Sequence, residues 1–269
     1  IAYGLTLGSL SKVSVENLDN QTRDVREVRA AEFAGDQPEP AAPAGSAGNG
    51  RLPLAVVAVA AGEGIAAIFR DFGVASVVKG GQSANPSTGE LLEAVKAIDA
   101  DEIVLLPNNP NVVMAARQVA TMAGRPVSVV PTRNAAEGFA ALLALDPTKD
   151  AAHNAEPMTE AGRGIQTLAV TEAVRDATIG GKKVKRGQTI ALDPDDGLVA
   201  CGNDRDKAVL QAIRALKPGF ELVTVYYGDG ADLAETEAIA RKIGAAVPGI
   251  EVEVVHGGQP HYRYLIAAE

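Results

Sequence analysis

Four short, continuously apolar runs, Leu54–Ala60, Val74–Val78, Ile103–Leu106 and Val127–Val130, recur at the spacing of βαβ units. Runs of that length without polar alternation suit strands covered on both faces, as in a parallel sheet. The stretches between them carry helical periodicity, with Leu91, Val95 and Ile98 in one and Val112, Ala115, Val119 and Met122 in the next. Their starts are marked too. Ser87-Thr88-Gly89-Glu90 has the form of a capping box, and Asn109 before Pro110 places an N-cap ahead of a residue suited to the first helical turn. Residues 51–150 therefore read as an open, parallel-sheet α/β subdomain.

The second half has a different pattern. Thr167–Val174, Gln188–Leu192, Leu198–Cys201, Phe220–Tyr227, Ile250–Val255 and Tyr262–Ala267 are candidate strands, and the Asp-Gly of Asp193–Gly197 is a hairpin signal between two of them. Asp204 and Asp232 (the latter with Glu235) cap two helices, and Ile250–Val254 alternates as a strand with one wet face does. Residues 151–269 read as a mixed or antiparallel α+β subdomain, joined to the first by a weakly helical connection over Asp146–Gly164. Upstream, residues 4–18 partly alternate like a half-buried strand, so residues 1–33 read as the end of a preceding domain. Residues 34–50 are nearly all Ala, Pro, Gly, Ser and acidic or amide residues, a linker composition. A chain that starts at Ile1 inside such a strand is expected to be a fragment.

Composition closes off several classes. A net charge of −9 repels phosphate backbones, which argues against nucleic acid as a partner. Cys201 is the only cysteine, so neither an intrachain disulfide nor a cysteine-based zinc site can form. The longest apolar run, Leu52–Gly62, is shorter than the ~20 residues of a membrane span, and no basic-led signal segment opens the sequence. A soluble, cytoplasmic protein is the expectation.

No stringent phosphate-binding loop is present, and no G-x-S-x-G nucleophile elbow. Ala61-Gly62-Glu63-Gly64 could admit an anion to a helix N-terminus, but it reads better as a tight strand-to-helix turn. The candidate binding residues lie elsewhere. Gly80, Gly81, Gln82, Ser83, Asn85, Ser87 and Thr88 follow the second strand, Asn108 and Asn109 the third, and Thr132 and Arg133 the fourth. Loops after parallel strands meet at one sheet edge, where open α/β sheets bind ligands. Small residues there let backbones approach closely, while amide and hydroxyl side chains both donate and accept. The turn His256-Gly257-Gly258-Gln259-Pro260-His261-Tyr262 adds His256, Gln259 and His261, with a plain turn as the competing reading.

Several of these segments, in order, carry a resemblance: Gly80–Thr88, Leu105–Asn109, Val129–Thr132, Thr171–Thr178, Tyr227-Gly228 and Gly257–Pro260. From about Leu52 to Glu269 the chain resembles the C-terminal region of bacterial fatty-acid kinase large subunits, the dihydroxyacetone-kinase-like or "Dak phosphatase" family. Residues 4–20 are similar to the last strand of that family's middle domain. The resemblance implies a DegV-like two-subdomain fold. It also implies that the Mg-ATP site belongs to an N-terminal domain absent from this chain, which leaves the chain itself without cofactor, metal site or kinase activity. The implied role is docking a DegV-like fatty-acid-binding protein so that its fatty acid is phosphorylated for phospholipid synthesis, with self-association as a homodimer also in view. The residues leave two readings open: a docking module, or a small-molecule or acyl-chain binding domain.

Overall fold

The computed structural model describes residues 51–80 and 85–269. The strand read over residues 4–18, the linker over 34–50, and Gly81, Gln82 and Ser83 lie outside the described residues. The first sheet is four-stranded and wholly parallel. It consists of β1 (Leu52–Ala60), β2 (Ser76–Lys79), β3 (Ala100–Leu106) and β4 (Val127–Val129), in the order β2-β1-β3-β4.

Both of its faces are covered, which is why its strands show no polar alternation. Ala55, Val57 and Val59 point to one side, against Leu91 and Val95 of α2 (Thr88–Ala97) and Val112, Ala116 and Val119 of α3 (Pro110–Met122). Val56, Ala58 and Ala60 point to the other. There they meet Ile65 and Phe69 of α1 (Glu63–Asp71), Phe139 of α4 (Ala135–Leu143), and Ala151 and Met158 of α5 (Ala151–Gly164). The Asp146–Gly164 connection thus contains a full helix, which packs into the core of the first sheet.

The second sheet is mixed and six-stranded, in the order β11-β10-β12-β5-β8-β9. Its members are β5 (Gln166–Glu172), β8 (Thr189–Leu192), β9 (Leu198–Gly202), β10 (Leu222–Tyr227), β11 (Glu251–His256) and β12 (Tyr264–Ala268). A separate hairpin, β6 (Ala177–Ile179) and β7 (Lys182–Val184), lies between β5 and β8. One face of the sheet carries Leu168, Val170, Ala191, Ala200, Val223, Val225, Tyr264 and Ile266 under α6 (Arg205–Ala215) and α7 (Leu233–Ala246). On the opposite face, Tyr226, Leu265 and Ala267 join the core shared with α1, α4 and α5. Ile190 on that face packs instead with Val184 of the hairpin. A parallel α/β sheet followed by a mixed sheet is the architecture expected from the sequence.

The caps form as read. Ser87 Oγ accepts from Glu90 N while Glu90 Oε2 accepts from Ser87 N, and Asn109, Asp204 and Asp232 each cap their helix. Asp150 caps α5 by accepting from His153 N. These bonds favour the charged forms. Backbone donors hold Glu90 below its ordinary 4.5, and Asp150 and Asp204 below 3.8; Thr148 does the same for Asp146. Glu269 runs the other way, since burial raises its carboxyl.

A carboxylate whose folded value is depressed adds stability above its unfolded value and loses it as pH falls through the folded one. Four such groups against one predict a thermal midpoint that drops as pH is lowered from ~5 to ~2. The replacements Asp150→Asn and Asp204→Asn keep a capping acceptor but cannot titrate. They are expected to flatten that slope in a melting series by circular dichroism. An unchanged slope would place acid sensitivity elsewhere.

Candidate functional site

The C-terminal ends of β1, β2, β3 and β4 open onto a cavity of about 140 Å³ that also touches the second sheet. From the first sheet come Ala60, Gly80, Asn108, Asn109, Arg133 and Asn134; from the second come Thr167 and Ala169 of β5, Leu265 of β12, and the β8–β9 turn at Asp193 and Asp196. Gln259, Pro260 and Tyr262 form one end. Three loops that the sequence places at one edge therefore do converge, and the β11–β12 turn joins them.

Asn108 is the pivot. Its backbone adopts φ 51, its Nδ2 donates to Val59 O at 2.9 Å, and its Oδ1 accepts from Thr132 Oγ1 at 2.7 Å. Thr132, 2% exposed, also accepts from Asn108 N. This pair ties the ends of β1, β3 and β4 together beneath the cavity. Asn109 Nδ2 donates to Asn85 Oδ1 at 3.1 Å, and Asn134 Nδ2 crosses to Thr167 Oγ1 of the second sheet at 2.8 Å. Ser87 is held in its capping box and Thr88 Oγ1 donates to Gln118 Oε1, so both serve the helix start. Gly80 is buried, and a methyl group built on it would lie 2.3 Å from Val59 Cγ1.

Arg133 is fully occupied. Its Nε donates to Glu137 Oε1 at 2.9 Å, its NH1 reaches Asp195 Oδ2 at 3.0 Å, and its backbone N donates to Glu137 Oε2. Burial pushes the guanidinium down, and the bonds to Glu137 and Asp195 more than offset this, so its net shift is upward. A fixed cation bridging the two sheets, rather than a free donor to a ligand, is what this geometry provides.

The β11–β12 turn is a structural joint as well. Ile65 N at the start of α1 donates to Gly257 O at 2.9 Å. The opening of α1 is thereby closed by backbone, and the tight-turn reading of Ala61–Gly64 holds. Gln259 is 5% exposed; its Nε2 donates to Tyr226 O, while its Oε1 has no protein partner. His256 is exposed and leans on Tyr227, ring centroids 5.1 Å apart. His261 adopts φ 69, and its carbonyl accepts from Thr171 Oγ1. Neither histidine lines the cavity, which holds no nucleophile beside a base. Among the described residues no group of three or more His, Cys, Asp or Glu could hold a metal ion, and no helix is long and apolar enough to cross a membrane.

Sequence alone does not single out Thr167 or Asp195. Each reaches the site from a strand or turn far away along the chain, with no local motif to mark it.

Residues 55–269 match the FakA-like C-terminal family of fatty acid kinases. The chain belongs to that family. Protein YloV of Bacillus subtilis is 36% identical over 217 residues, 81% of this chain and 39% of that protein, so the chain spans well under half of this relative's length. In fold it is similar to the DegV family protein Cg2579 of Corynebacterium glutamicum, with TM-score 0.61 and 11% identity, covering 81% of this chain and 97% of that one. It is also similar to the Streptococcus pneumoniae fatty acid kinase (Fak) B3 protein loaded with linoleic acid, with TM-score 0.50 and 11% identity, covering 80% and 99%. A DegV-like fold is therefore common to this family member and to a fatty-acid-loaded kinase protein.

Proposed function

We propose that the chain is the non-catalytic C-terminal module of a fatty acid kinase, and that its parallel-sheet edge docks the DegV-like protein carrying the fatty acid. ATP binding and phosphoryl transfer would belong to a domain outside this sequence. The observation that carries this reading is the edge itself. Its loops converge, yet their side chains bond mostly to one another around a cavity of about 140 Å³. Sites for drug-sized ligands run to roughly 300–1,000 Å³, and an acyl chain needs a long apolar tunnel besides. A rigid polar edge with little internal volume suits a protein surface better than a lipid. The alternative, a small-molecule binding domain, has the unpaired Gln259 Oε1 in its favour.

Calorimetric titration of the fatty-acid-loaded carrier into the chain tests the reading. Loss of an interfacial polar partner costs ~1–3 kcal/mol, so Gln82→Ala and Asn85→Ala are each expected to weaken Kd about tenfold. Equal Kd for wild type and both folded variants would move the interface off this edge.

A further inference from the structure

The segment around the β6–β7 hairpin is not used by the edge described above. Within Arg175–Arg186 lie Arg175, Lys182, Lys183, Lys185 and Arg186, five cations against one carboxylate, Asp176, in a chain of net charge −9. All five are exposed. Asp176 is spent on the backbone N of Arg186. Among the described residues, none of the five side chains has an ion pair or hydrogen bond. Elsewhere this chain pairs its cations, as at Arg133–Glu137, Arg263–Glu235 and Lys242–Asp206. Five neighbouring unpaired cations repel one another and gain nothing from the fold.

The hairpin is well seated. Ala173, Val184 and Ile190 form a small core with Ile179, Leu192, Leu198 and Cys201. Register places Ile190 opposite Thr171 and Leu192 opposite Ala169. Since Ala169 lines the cavity, the hairpin covers the β8–β9 part of the same sheet face whose β5–β12 part borders it. Thr171 Oγ1 further ties the base of this segment to His261 O, next to Tyr262 at the cavity's end. Basic hairpin and polar edge thus lie on one continuous side of the second sheet.

We infer that the β6–β7 hairpin with its flanks Arg175 and Lys185–Arg186 is an electrostatic docking surface for an acidic face of the fatty-acid-carrying protein. The inference rests on the docking function proposed above and adds a second contact to it. Clusters of Lys and Arg also adsorb to anionic lipid, but interfacial segments add Trp, Phe or Leu as apolar anchors. The only fully apolar exposed side chain here is Val174, with no aromatic residue between Thr171 and Gly187. Continuity with the edge loops favours the protein partner.

Unpaired surface charges act mainly on encounter rate, and salt screens them. The double charge reversal Lys183→Glu/Lys185→Glu changes only exposed side chains. In stopped-flow and calorimetric titrations of the loaded carrier into the full chain, it is expected to slow association and weaken Kd about tenfold at ~50 mM salt, with most of the difference gone at ~500 mM. Equal binding of carrier by wild type and reversed chain at low salt would overturn the inference and leave the docking function standing. No binding of carrier by wild type would overturn both. A parallel arm uses vesicles of phosphatidylglycerol and phosphatidylcholine. Adsorption lost on reversal, with carrier binding unchanged, would assign the hairpin to a lipid surface and overturn the inference as stated.

Discussion

Replacing Gly64 with alanine is expected to lower the unfolding free energy by about 3 kcal/mol or more, at the upper end of the cost of overpacking. A methyl group built there would lie 2.0 Å from His256 O and 2.8 Å from His256 C. Those neighbours are backbone, so no side chain can swing away. The backbone at Gly62 is more constrained still: it holds φ 99, and an added carbon would sit 2.5 Å from Gly257 O, Gly258 C and Gln259 N. Two glycine turns, one opening α1 and one closing β11, are therefore pressed together where the parallel sheet meets the mixed one. The Ile65 N to Gly257 O bond needs that approach. At ~2–4 °C per kcal/mol for a unit of this size, Gly64→Ala should lower the thermal midpoint by about 6–12 °C. Gly73→Ala is the control: its φ is 80 but nothing lies within 4 Å, so it carries only conformational strain, about 1 kcal/mol. Urea unfolding with an unchanged m-value reads both. Equal losses at Gly64 and Gly73 would mean the turns separate without cost.

How far such features can be read from sequence depends on whether their cause is local. The capping residues Ser87, Asn109, Asp204 and Asp232 act within three residues of themselves, so their helices are legible from the residue order alone. The parallel strands are legible because burial on both faces removes alternation. α4 escapes the same logic. Ala136, Glu137, Gly138, Phe139, Ala141 and Leu142 are all buried, so no polar face marks its period. The β6–β7 hairpin escapes because its three-residue strands, with Lys182 and Lys183 exposed, look like a loop. At the site, topology alone places Gly80, Asn108 and Arg133 at one edge. What they face, Thr167 and Asp195, follows from the arrangement of the two sheets and leaves no motif nearby. Gly62 and Gly257 illustrate the same limit: each reads as a turn glycine, and only their mutual contact explains why no side chain fits.

Arg133→Ala is expected to cost about 3–5 kcal/mol, because it strands a buried carboxylate. Glu137 is 1% exposed, and Arg133 gives it the Nε donor and a second ion-pair contact from NH2 at 2.8 Å. Asp195, 78% exposed, receives the other side of the same guanidinium. The two halves of the bridge should differ sharply in weight. An exposed ion pair contributes ~1 kcal/mol at most, so Asp195→Ala should be nearly silent in urea unfolding. Removing both members of the buried pair, as in Arg133→Met/Glu137→Leu, should recover much of the loss, since no charge then remains without a partner. The double variant still gives up the Arg133 N to Glu137 Oε2 bond and is expected to stay below wild type. If Arg133→Ala instead unfolds like wild type while carrier binding weakens, the guanidinium serves recognition and its bond to Glu137 is incidental. If it unfolds early and the double variant both refolds and binds carrier, the arginine holds the edge in shape without touching the partner, which is the outcome its saturated hydrogen bonds predict.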